Sequence, residues 1–147
     1  MKLSFILGVF LMSVSSQATE LVVDAYCEGK MKTLETGELV PFELRAYVDP
    51  KIYCATEDAV LGEPSLLQLV VQNEPDYITE RERIFQTKVS YVSIGNKTEV
   101  HFVSPEISLK YHALSPNIVK GKLEIRDEEV VGELSCETIE YHMECDE

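Results

Sequence analysis

The chain has 147 residues, 26 acidic against 13 basic, for a formal net charge of −13 at pH 7. A surface of that sign repels phosphate backbones and anionic lipid, which argues against nucleic-acid binding and favours cationic partners. The length suits one domain around one core and leaves no room for a second of ordinary size.

At the N-terminus Lys2 precedes an apolar run from Leu3 to Val14, and small and polar residues lead to Ser16-Gln17-Ala18. This is the pattern of a secretory signal peptide, with cleavage expected after Ala18. Residues 1–18 are therefore expected to be removed, leaving 19–147 as a single all-β domain. The apolar run is too short to cross a bilayer stably, and no second long one follows, so no membrane span is expected in the mature chain. No Cys follows the run to take a lipid. A soluble secreted or periplasmic product with a charge of about −14 is expected, since only Lys2 among charged groups is lost.

Period-two alternation then recurs along the chain. Val23, Ala25 and Cys27 alternate with Asp24 and Tyr26, and Phe42, Leu44, Ala46 and Val48 alternate with Glu43, Arg45 and Tyr47. One apolar face and one polar face at this period predict half-buried strands. The pattern returns at Leu67, Leu69 and Val71, at Val100 and Phe102, and at Ile107, Leu109 and Tyr111. It closes with Val119, Leu123 and Ile125, then Val130, Leu134 and Cys136. The stretch from Ile84 to Ile94 mixes both phases, so it predicts a strand with no assigned buried face. Gly95-Asn96 predicts a two-residue hairpin, because glycine accepts the positive φ needed at the first turn position. Asp127-Glu128 and four proline-containing breaks punctuate the other runs. The whole predicts an antiparallel meander of eight or nine strands, a small barrel or a sandwich, stapled by disulfides.

Four cysteines, Cys27, Cys54, Cys136 and Cys145, lie beyond the apolar leader, and an even count in an oxidising compartment predicts two disulfides. None has the short spacing of a zinc ribbon or a redox pair. Local spacing favours Cys27 with Cys54 and Cys136 with Cys145. The nested pairs, Cys27 with Cys136 and Cys54 with Cys145, apply if the first and last strands are neighbours.

An outer-membrane barrel would need apolar residues on its lipid face, where the polar phase here carries Glu43, Arg45, Lys110 and Glu133. No nucleophile elbow, zinc-protease motif, phosphate loop or calcium loop is present. His101, His112 and His142 are scattered and read as surface histidines. Glu140, His142, Glu144 and Asp146 would share one face of an extended C-terminus, yet read as a solvated acidic tail before a metal site. Asn96-Lys97-Thr98 fits the glycosylation pattern and is taken as a chance match. The chain therefore reads as a non-enzyme without a cofactor.

Two stretches read as loops long enough to recognise a partner: Thr56 to Pro64, and Asn73 to Arg83. The second carries Tyr77, a plausible aromatic anchor, and the charge alternation Glu80, Arg81, Glu82, Arg83. These residues make the candidate binding loop. The expected function is an exported protein-binding module that acts through loops or a sheet edge, inhibition of a basic enzyme being one form. The alternative is a lipocalin-like carrier of a small apolar ligand inside a barrel.

Overall fold

The computed structural model describes residues 20–32, 37–54, 59–72, 80–95, 97–113, 118–139 and 144–145. Each alternating run forms a strand, and the eight are β1 Val22–Lys32, β2 Leu39–Val48, β3 Ala59–Gln72, β4 Glu80–Ile94, β5 Lys97–Val103, β6 Ile107–Ala113, β7 Ile118–Ile125 and β8 Glu129–Thr138. All neighbours pair antiparallel in chain order, and β1 pairs with β8, so the sheet closes into a barrel and has no free edge. Closure decides between barrel and sandwich, and it removes the sheet edge as a docking route.

The inward phase packs the interior. Leu44, Ala46 and Val48 of β2, Leu67 of β3, Val89 of β4 and Val100 and Phe102 of β5 have no accessible surface. The outward phase carries exposed Arg45, Lys88, Lys110, Lys122 and Glu133, the reverse of a lipid-facing wall. On β4 the inward set is Phe85, Thr87, Val89 and Tyr91, while Ile84 stands 63% exposed. The mixed pattern of that run thus arises from an apolar residue outside and a hydroxyl inside. Thr87 meets Ser65 of β3, its direct neighbour in register, at 2.6 Å between hydroxyls.

Strict alternation would put Asp24 outside, but the ladder between β1 and β2 slips between Val23 and Ala25. The bulge turns Asp24 inward, where it is 6% exposed beside the fully buried Ala25. The 3-10 helix Pro50–Cys54 follows β2, with Asp49 accepting from the Lys51 and Ile52 amides at 3.0 and 3.1 Å. Its Tyr53 hydroxyl donates to Asp24 at 2.6 Å.

The disulfides are Cys27–Cys136 and Cys54–Cys145, so the local pairing that spacing favours is incorrect. Barrel closure is the reason: Cys27 of β1 and Cys136 of β8 are direct partners in the ladder, with Cα atoms 4.0 Å apart. Cys54 ties the 3-10 helix to the C-terminal Cys145. The Gly95 hairpin forms as expected, at φ 61°, joining Ile94 to Lys97.

Two disulfides suit an oxidising environment outside the cytoplasm.

Candidate functional site

An open groove of about 540 Å³ runs along the outer wall over β8, β1 and β2. Its lining spans an irregularity in one ladder. Between Glu28 and Lys30 the pairing of β1 with β8 slips, since Glu28 faces Ser135 while Lys30 faces Val131. The extra residues on β8 include Gly132, at φ 77°, and Glu133, whose side chain is 64% exposed. Under the slip lies Gly29, where a Cβ would stand 2.7 Å from the Phe42 ring and 3.2 Å from Leu134. Any larger residue would push the ring and disturb the groove floor.

Two rows of side chains cross the groove. One is Ser135, Glu28 and Glu43, and the other is Val131, Lys30 and Pro41, each set by direct register across the three strands. Glu28 and Glu43 therefore oppose each other on the same face of β1 and β2. Like charges in that position destabilise a sheet. Neither carboxylate takes part in an ion pair with any described residue, and neither does Lys30. Glu133 pairs with Lys120 at 3.2 Å, a solvent-exposed contact of little strength.

Beside the acidic row, two residues along β1, Tyr26 donates from its hydroxyl to Glu28 at 3.3 Å, and the Arg45 guanidinium lies 5.9 Å from the Tyr26 ring centre. Desolvation first, then the Glu43 and Glu28 carboxylates, push the Tyr26 phenol up to about 12. Chemically the groove offers anionic acceptors beside apolar surface. All four cysteines are bonded, so no thiol is free.

A second polar cluster lies inside the barrel. Asp24 accepts hydrogen bonds from the hydroxyls of Tyr53 and Tyr111. The Tyr91 hydroxyl is buried and makes no hydrogen bond of ordinary geometry among the described residues, but it lies close enough to Asp24 to feel its charge. Burial first, and Asp24 next, raise the Tyr91 and Tyr111 phenols above their ordinary value. This network fastens the 3-10 helix to the barrel end.

The candidate binding loop is divided by the structure. Tyr77 lies outside the described residues, as do 56–58 of the other stretch. Glu80, Arg81, Glu82 and Arg83 are not loop but the start of β4, paired in order with Gln72, Val71, Val70 and Leu69. Ala59 to Pro64 likewise belong to β3. Alternating charge reads like a solvated connector, yet it has the period of a strand. Glu82 faces out, accepting from Gln68 at 2.7 Å. Arg83 shares the phase of Phe85, lies 4.8 Å from that ring's centre and reaches Glu128 at 3.6 Å.

Of the C-terminal set, Glu140, His142 and Asp146 lie outside the described residues, and Glu144 is exposed. Among the described residues no three His, Cys, Asp or Glu side chains gather as a metal site. Asn96 also lies outside them. His112 is exposed, and His101 is half-buried against Glu99.

The groove residues Glu28, Glu43 and Glu133 were missed by reading the sequence, because their meeting depends on register between strands. One signal was available: an isolated glycine within a strand pattern, Gly29, marks a bulge or a close approach. No protein family, curated protein or solved structure matches the chain.

Proposed function

We propose that this is an exported, non-enzymatic binding module that holds a cationic protein against the β8–β1–β2 wall, inhibition of a basic enzyme being one form of that role. The observation that carries the reading is the pair Glu28 and Glu43, opposed in register at an open groove, neither of them in an ion pair with a described residue, although Arg45 is near enough to feel the Glu43 charge. A partner's basic groups would relieve that repulsion, and the chain's net charge of −13 would steer such a partner in. Export is supported by the leader-like pattern of Lys2 and Leu3 to Val14, and by the two disulfides. Secretion or release into a periplasm both suit these features.

The carrier reading has less support. Interior side chains such as Val89, Val100 and Phe102 have no accessible surface, so an apolar guest would have to displace them. A native mass spectrum of the protein recovered gently from its own compartment tests the choice. A salt-sensitive complex with a basic protein is the expected result. An adduct of a few hundred daltons that disappears on denaturation would favour the carrier instead.

A further inference from the structure

We infer that the groove takes an extended segment of the form Arg-x-apolar from its basic partner, and that Lys30 is a resident cation which the segment displaces. This deepens the proposed function and rests on it.

The spacing of the two rows carries the inference. The acidic row centres on Glu28 and the apolar row on Lys30, two residues along the same strand. That step is about 7 Å, which is also the distance between alternate side chains of an extended ligand. A basic side chain over Glu28 and Glu43 thus places the residue two positions on over Val131 and Pro41. Val131 is 40% exposed and gives that residue an apolar contact. Directly opposed carboxylates suit a guanidinium, whose planar fork offers donors to both, better than a single ammonium.

Lys30 shares this groove and has no ion-pair partner among the described residues. Its charge offsets the carboxylates in the free protein and repels an incoming guanidinium. Its methylene stem can stay on the groove floor while the ammonium swings into water. Removing the charge should therefore strengthen binding, which a purely structural lysine would not do.

The test is a chemical-shift titration of the disulfide-intact protein with the peptide acetyl-Gly-Arg-Ser-Leu-Gly-amide. Shifts should map to β8, β1 and β2. Glu28→Gln and Glu43→Gln should each weaken binding about two- to fivefold, and Lys30→Met should strengthen it by a similar factor, the size expected of partly exposed charge pairs. Replacing arginine by lysine, or leucine by serine, should also weaken it. Equal affinity across the three variants would overturn the inference, as would equal competition by spermine, which lacks the fork and the apolar residue. Egg-white lysozyme serves as a folded basic probe that separates the two levels. If it binds in a way that depends on Glu28 and Glu43 while the peptide does not bind, the segment inference fails and the proposed function stands; if it binds regardless of Glu28→Gln and Glu43→Gln, the wall assignment fails with it. If neither peptide nor lysozyme binds, both fail.

Discussion

Gly121 on β7 lies under the Cys27–Cys136 bond, where a Cβ would stand 2.6 Å from the Cys136 sulfur. No positive φ constrains this glycine, so the requirement is for space alone. Gly121→Ala should destabilise the protein by about 1–3 kcal/mol in urea unfolding, the usual cost of overpacking a core. The penalty should shrink in a Cys27→Ala/Cys136→Ala background, where the sulfur is gone; an undiminished penalty would show that the disulfide is not what excludes the methyl group. Glu99 shows the surface counterpart. Hydrogen bonds from Lys110, at 2.7 Å, and then His101 lower its carboxyl from 4.5 to about 2. Because the folded value lies below the unfolded one, the stabilisation is present above about pH 4.5 and fades as pH falls towards 2. Carbon NMR of the Glu99 carboxyl should show that low midpoint, and Lys110→Met should move it back up. A midpoint near 4.5 in the unaltered protein would mean that these contacts do not persist in solution.

Among the elements, the two disulfides differ in what surrounds them. Cys27 and Cys136 have no accessible surface between β1 and β8, whereas Cys145 is exposed and Cys54 half-buried at the barrel end. Mild reduction followed by alkylation should therefore label Cys54 and Cys145 first while the strand signal in circular dichroism persists. Labelling of Cys27 and Cys136 should wait for global unfolding, and simultaneous labelling of all four would contradict this order. The same elements show what was legible in advance. Runs such as Phe42 to Val48 announce themselves because inward and outward residues differ sharply in polarity. Glu80 to Arg83 did not, since an arginine at a barrel mouth and a glutamate outside look alike in a polarity pattern. Asp24 was misplaced because one extra residue in a bulge reverses the phase, and alternation carries no mark of it.

At the scale of the molecule, barrel closure sets which distant residues meet. Pairing β1 with β8 brings residues separated by 109 positions into one disulfide, and it sets β8 beside β1 to form one side of the groove. It also leaves no edge strand, so a partner could not add a strand to this sheet. The sequence by itself determined an all-β meander with two cystines and an acidic exterior, because alternation, turn residues and composition are local properties. Only the tertiary structure decided barrel over sandwich, the disulfide partners, the inward turn of Asp24 and the meeting of Glu28 with Glu43. Each depends on which residues of distant strands come into register, and register is an outcome of packing the whole sheet around one interior.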